Sequence, residues 1–353
     1  MIGIRTDANS IIATGHMMRC ITIAKEIVAR GQAVTFFVAD TESERLFLEF
    51  AEDGMDVEVL DTDYRDMDSE LETLKSELKK RDVTALLVDS YMVTKGFFEG
   101  LKGICTLAYL DDLKADIYPV DILINYSGYS KNMGYEADYA GVCGSIKTPT
   151  KLLLGLNYAP LRRQFYEESE PVSEKEKGIH VLLSTGGADM CNMIVPVLEK
   201  VVELKLNADI IWNVVIGDFV QNKAEIEDKF GAAQNINLCA SVKNMAELMR
   251  KSDIAVLAAG TMLTECAAIH LPAVFYQVAD NQKFNVEYFG ATQGMVFAGS
   301  VMYGEDSKLQ TIDTIIREVE LLSADDMKRN TMREKLCDIT DGRGAVRIAE
   351  ALM

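Results

Sequence analysis

Apolar and polar positions divide this chain into short segments of two kinds. Some are compact apolar runs closed by a polar or glycine-bearing turn, as in buried strands. Others repeat apolar residues every three to four positions, as in helices with one buried face. Met1–Arg5 reads as a first strand, followed by a polar loop, Thr6 to Ala13. A helix then starts at Gly15-His16, its apolar face formed by Met18, Ile21, Ile23, Ala24, Ile27 and Val28. Strands are expected at 33–38, 57–60, 85–89, 105–110 and 121–125, with helices at 42–51 and 68–80; Leu71, Leu74 and Leu78 make the inner stripe of the second. The pattern restarts with strands at 179–184, 210–217, 254–260 and 271–277. Helices follow from about Asn192, at 243–250, from Thr261 and from Asp280. Strands alternating with helices predict parallel, doubly wound sheets, hence an α/β protein of two Rossmann-like domains facing across a cleft.

The boundaries follow the same pattern. Residues 1–158 form the first domain and 179–340 the second. Between them, 159–178 reads as a linker, because Thr148 to Gly178 loses the alternation and ends in a charged Glu/Lys run. The closing segment 341–353, helical over Gly344–Leu352, is expected to pack back on the first domain.

Composition narrows the function. A chain of 353 residues favours two domains over one, and 48% hydrophobic residues exclude disorder. The formal charge of −19 argues against nucleic acid and against an anionic membrane face as partners. No apolar stretch is long enough for a membrane span, and the N-terminus reads as a strand, not a signal peptide. Seven dispersed cysteines without a C-x-x-C pair read as reduced thiols of a cytoplasmic protein. The three histidines, 16, 180 and 270, lie far apart, and no zinc spacing is present, so no metal is expected.

Candidate chemistry sits at strand ends. In open α/β sheets ligands bind beyond the carboxyl ends of the strands, and Asp89, Tyr91, Asp111, Asp112, Asn125 and Tyr126 all follow strands of the first domain. His16 joins them at a helix start, where the helix dipole favours a neutral imidazole usable as a base and suits a phosphorylated ligand. Asp89 and Asp112 are equally at home as turn or capping residues. In the second domain Gly186-Gly187 and Ala259-Gly260-Thr261 let backbone N–H groups approach an anion. Glu265, one turn further, is placed to accept from ribose hydroxyls. Neither G-x-G-x-x-G nor G-x-x-x-x-G-K-[ST] is present, which disfavours dehydrogenase and NTPase readings.

The ordered set Arg5-Thr6-Asp7-Ala8, Thr14-Gly15-His16-Met17-Met18-Arg19-Cys20, Asp89-Ser90-Tyr91, Asp111-Asp112-Leu113, Leu154-Gly155 with Tyr158 to Arg162, Gly186-Gly187-Ala188-Asp189 with Asn192, Ala259-Gly260-Thr261 with Glu265, and Asp280-Asn281-Gln282 spans nearly the whole chain. It resembles the nucleotide-sugar hydrolases of pseudaminic acid biosynthesis (PseG), related to GT-B glycosyltransferases such as the lipid II N-acetylglucosaminyltransferase; spore-coat polysaccharide biosynthesis proteins share much of it. The resemblance implies a GT-B-like fold and metal-independent, cofactor-free hydrolysis of UDP-2,4-diacetamido-2,4,6-trideoxy-β-L-altropyranose to free sugar and UDP. It implies His16 as the activator of water and Tyr91 near the reaction centre. It also implies Asp7, Gly15, Arg19, Asp89, Asp112, Gly186, Gly187, Asp189, Asn192, Gly260, Thr261, Glu265, Asn281 and Gln282 as residues around a small-molecule UDP-sugar. The family often reads Asp-His-Tyr where this chain has Asp89-Ser90-Tyr91. The alternative is a GT-B glycosyltransferase of surface or spore-coat polysaccharide synthesis, with the sugar passed to an acceptor hydroxyl.

Overall fold

A computed structural model describes residues 1–9, 11–12, 14–146, 148–167, 177–204 and 209–353. Much of the expected linker, 168–176, therefore lies outside the described residues, as do Ser10 and Ala13 of the loop before His16. The chain divides into two compact units, Met1–Arg162 with Arg343–Met353, and Arg163–Gly342.

The first unit is built on seven parallel strands: β1 (Ile2–Thr6), β2 (Val34–Val38), β3 (Met55–Val59), β4 (Ala85–Asp89), β5 (Thr106–Leu110), β6 (Ile122–Asn125) and β7 (Lys151–Leu154). Their order is β3-β2-β1-β4-β5-β6-β7. Strand order reverses between β1 and β4, so the loops leaving these two strands splay apart and open a crevice at the carboxyl edge. The helix Gly15–Val28 follows β1 and buries Met17, Cys20, Ile21, Ile23, Ala24 and Ile27 against one sheet face. The helix Gly344–Leu352 packs beside it, contributing Ala345, Ile348, Ala349 and Leu352 to the same core. A second core fills the other face with Leu74, Leu78, Phe97, Phe98 and Tyr109.

The second unit repeats the plan with β8 (Ile179–Ser184), β9 (Ile210–Ile216), β10 (Ile236–Ala240), β11 (Ile254–Ala258), β12 (Ala273–Gln277) and β13 (Met295–Ser300), in the order β10-β9-β8-β11-β12-β13. Its reversal lies between β8 and β11. Trp212, Ile226, Ile254 and Tyr276 belong to its core, with Ile312, Ile315 and Ile316 from the helix Glu305–Ala324.

The structure corrects several boundaries. The Leu152–Leu154 run, read as the start of the interdomain connection, is an edge strand paired to β6; four residues are too few to show alternation. The expected helix start at Asp68 is a 3-10 turn, Met67–Glu70, before the helix Leu71–Lys80, and Asp280–Gln282 is likewise a 3-10 turn before the helix Lys283–Ala291. The helix expected from Asn192 begins at Ile194, because Asn192 has φ +48°, outside helical space.

One buried charge cluster pins the start of the first unit. Arg5 on β1 is fully buried, its Nε and Nη2 donating to the two oxygens of Glu70 at 2.6 and 2.8 Å. Its Nη1 donates to Asp7 at 2.6 Å, and the other Asp7 oxygen accepts from the Ala39 N–H at 2.7 Å. Both Asp7 oxygens thus hold the loop after β1 in place. Removing one partner of a buried pair strands the other charge. Glu70→Ala is therefore expected to destabilise the first unit by about 3–5 kcal/mol in urea unfolding; a loss under about 1 kcal/mol would contradict this.

Candidate functional site

The crevice in the first unit is organised by the carboxylate of Asp89 at the end of β4, which is buried from solvent. The imidazole of His16, in the first turn of the helix after β1, donates from Nδ1 to Asp89 Oδ1 at 2.6 Å. Arg19, one turn on along the same helix face, donates from Nη2 to Oδ1 at 2.5 Å and from Nε to Oδ2 at 2.6 Å. Its Nη1 reaches Asp112 Oδ2 at 2.6 Å and the Tyr126 hydroxyl at 2.8 Å. Arg19 Nη2 also stands 3.0 Å from His16 Nδ1. Both are donors once Nδ1 carries its proton toward Asp89, so that approach is a close contact and not a bond. Burial works to raise the Asp89 carboxyl, but the charge and hydrogen bonds of Arg19, helped by His16, hold it below its ordinary value.

The circuit closes through Tyr91. Its hydroxyl donates to Asp112 Oδ2 at 3.1 Å, and its ring meets the His16 ring edge to face at 4.5 Å. Burial and the Asp112 charge push the Tyr91 hydroxyl up to about 12, so at neutral pH it is a donor. Imidazole, carboxylate, guanidinium, carboxylate and phenol thus form a ring drawn from the Gly15–Val28 helix and the ends of β4 and β5. Beside it lies a small pocket of about 20 Å³, lined by Asp7, Ile12, His16, Tyr64, Ser90 and Tyr91 among others. That is room for about one water. With Nδ1 committed to Asp89, the lone pair of the imidazole is on Nε2.

Of the residues expected here, His16, Arg19, Asp89, Tyr91 and Asp112 come together, and Gly15 opens the helix with open space where a Cβ would stand. Asp89 and Arg19 bind each other and orient His16, so they act as positioning residues. Tyr64 and Ile12 were not anticipated; no spacing in the sequence marks them.

The second unit carries its own pocket of about 370 Å³ at the carboxyl ends of β8 and β11. Gly186, Gly187, Asp189, Gly260, Thr261 and Gln282 line it. Gly186 has φ +89°, a conformation that favours glycine. A Cβ at Gly217, at the end of β9, would stand 2.3 Å from the Gly187 carbonyl oxygen, which also accepts the Phe219 N–H at 3.0 Å. The Asp189 oxygens accept the Met193 and Ile194 N–H groups at 2.8 and 3.2 Å, capping the helix Ile194–Glu203. Asn192 and Asn281 are exposed outside the lining, and Glu265 is half-buried in the first turn of the helix Met262–Ala268, also outside it. Thr185, Phe219 and Tyr276 line the pocket without having been anticipated.

Comparison with known proteins places this geometry in context. The family model described as Lipid-A-disaccharide synthetase matches residues 157–282. An uncharacterized protein of Methanocaldococcus jannaschii, MJ1062, is 24% identical over 284 residues, 77% of this chain; the chain spans about half (54%) of that relative's length. The UDP-2,4-diacetamido-2,4,6-trideoxy-beta-L-altropyranose hydrolase of Campylobacter jejuni is 23% identical over 265 residues, covering 74% of this chain and 85% of its own. The crystal structure of Acinetobacter baumannii MurG superposes with TM-score 0.66 at 11% identity, covering 99% of this chain and 98% of MurG. The fold is thus GT-B-like, and the resemblance to PseG read from the sequence is matched by a relative of that name.

The depressed Asp89 carboxyl has a signed consequence. Its folded-state value lies below the unfolded value of about 3.9, so its stabilising contribution is complete above the unfolded value and is lost as pH falls through the folded one. The melting temperature of the wild type should therefore fall more steeply below about pH 4 than that of Asp89→Asn. Parallel slopes for the two proteins would contradict the pairing.

Proposed function

We propose that the chain is a nucleotide-sugar hydrolase that cleaves a UDP-linked diacetamido-trideoxy sugar at the anomeric carbon, releasing free sugar and UDP. The observation that carries the reading is the His16–Asp89 pair beside a pocket sized for one water. A neutral imidazole anchored through Nδ1 presents its Nε2 lone pair to that water. The water oxygen bonds to the anomeric carbon while its proton passes to Nε2. The carbon–oxygen bond to the nucleotide breaks, and its electron pair leaves on the β-phosphate oxygen. Asp89 steadies the imidazolium that forms, and Arg19 keeps Asp89 ionised and fixed. Tyr91 keeps its proton and acts as an aromatic wall and donor, leaving His16 as the base.

The pocket of the second unit suits the diphosphate. Its glycine-bearing turns bring backbone close to a ligand, and no lysine, arginine or histidine is among its described lining residues, so neutral donors would carry the anion. UDP is a good leaving group, and donors aimed at its phosphates supply more of the catalysis than a strong acid would. The C. jejuni hydrolase relative favours water as the acceptor. The glycosyltransferase alternative, in which His16 deprotonates an acceptor hydroxyl, is favoured by the fold shared with MurG. Free sugar formed from a UDP-sugar with no acceptor present selects hydrolysis; nucleotide release that appears only with an added acceptor selects transfer.

His16→Asn keeps a hydrogen-bonding side chain and removes the base. Turnover is expected to fall about 10²- to 10⁴-fold, with UDP binding by calorimetry retained. Near-wild-type turnover in the variant would overturn the assignment. Activity is also expected to survive EDTA; loss in chelator and recovery with a divalent ion would count against a metal-free mechanism.

A further inference from the structure

Among the described residues of the second unit three hydroxyls are buried without a partner, and two of them belong to residues of one pocket. Thr185 Oγ1, just beyond β8, and Tyr276 Oη, on β12, make no hydrogen bond to any described residue. Both residues line the 370 Å³ pocket. A buried hydroxyl left unbonded is costly, and folded proteins rarely keep one without use. Here both belong to residues that line one cavity. The phenolic end of Tyr276 faces Asp189 and Cys191, which also line the pocket, but the Asp189 oxygens are already committed to the helix N–H groups of Met193 and Ile194. The neighbouring Ser184 hydroxyl finds only the Met262 sulfur, at 3.3 Å, a weak acceptor. Burial raises the Tyr276 hydroxyl well above its ordinary range, so it remains a donor at any working pH.

The partner these donors lack is an acceptor-rich group. With no cationic side chain among the described lining residues, neutral donors, the hydroxyls and the Gln282 amide, are the side chains there that can meet an anion. β11 lies between β8 and β12, so the backbones carrying the two donors are about 10 Å apart.

Building on the nucleotide reading above, we infer that Thr185 and Tyr276 are ligand-binding residues whose hydroxyls donate to separate phosphoryl groups of a nucleoside diphosphate, and that this spacing selects a diphosphate over a monophosphate. On this inference a diphosphate, with its two phosphoryl groups, spans both donors, whereas a ligand with one phosphorus atom reaches over a shorter distance.

The test is calorimetric titration of the full chain with UDP and with UMP, for wild type, Thr185→Val and Tyr276→Phe, together with melting curves without nucleotide. Each substitution removes one hydroxyl and nearly preserves shape. Each should weaken UDP about tenfold or more and UMP less, narrowing the preference for UDP. Because the hydroxyls are unbonded without ligand, the ligand-free melting temperature of each variant should equal or exceed that of wild type. UDP affinity within twofold of wild type in both variants overturns the inference. So does a lowered ligand-free melting temperature with equal losses for UDP and UMP, which is the signature of a structural role. A wild-type protein that binds neither nucleotide overturns the nucleotide reading itself, and this inference with it.

Discussion

The first unit depends on one carboxylate taken out of water. Asp89 ends β4 at the point where strand order reverses, with no exposure to solvent. An uncompensated charge there would cost more than the fold could supply. The compensation comes from a single helix face, with His16 and Arg19 one turn apart on the same oxygens. Because that helix is itself locked by the Met17, Cys20 and Ile21 side chains in the core, the imidazole inherits the rigidity of the sheet. Orientation of the imidazole is thus a consequence of charge burial, and burial of the charge is possible because the imidazole and Arg19 are there.

The two units line their pockets in opposite ways. The first concentrates ionised side chains, each cancelled by a neighbour, around one titratable ring. The second keeps ionic side chains out of its described pocket lining, apart from Asp189 with its oxygens spoken for. There, glycine-bearing backbone turns and neutral side chains form the lining. Both solutions sit at a strand-order reversal, where two loops diverge and leave backbone groups exposed.

Hydrophobic spacing made most of the fold legible. The strands Ala85–Asp89 and Ile179–Ser184 and the helix Gly344–Leu352 stand where the pattern put them, because each is a continuous apolar run or a clean helical stripe. β7 was hidden because four residues at a sheet edge carry no period, and the 3-10 turns before Leu71 and Lys283 read as extra helix. Within the crevice, the His16–Arg19 spacing was legible as one helix face, and the aspartates as strand-end residues. What spacing could not convey is direction. Asp89 and Arg19 were read as residues around a ligand; that they also pair with each other and with His16 was not legible. Thr185 and Tyr276 were invisible for a different reason: a strand-end threonine and a core tyrosine look ordinary until their hydroxyls are found without partners.

The packing of Gly217 against the Gly187 carbonyl, which leaves no room for a Cβ, also constrains how this chain can diverge. The two positions lie thirty residues apart at the ends of neighbouring strands, and position 217 cannot gain a side chain alone. A side chain at 217 requires the 186–187 turn to move, and moving that turn reshapes the pocket it borders. A side chain at 217 would therefore need the loop after β9 to change together with the loop after β8, whereas Gly187 itself has room for a Cβ, with Phe219 at 3.8 Å as its nearest neighbour.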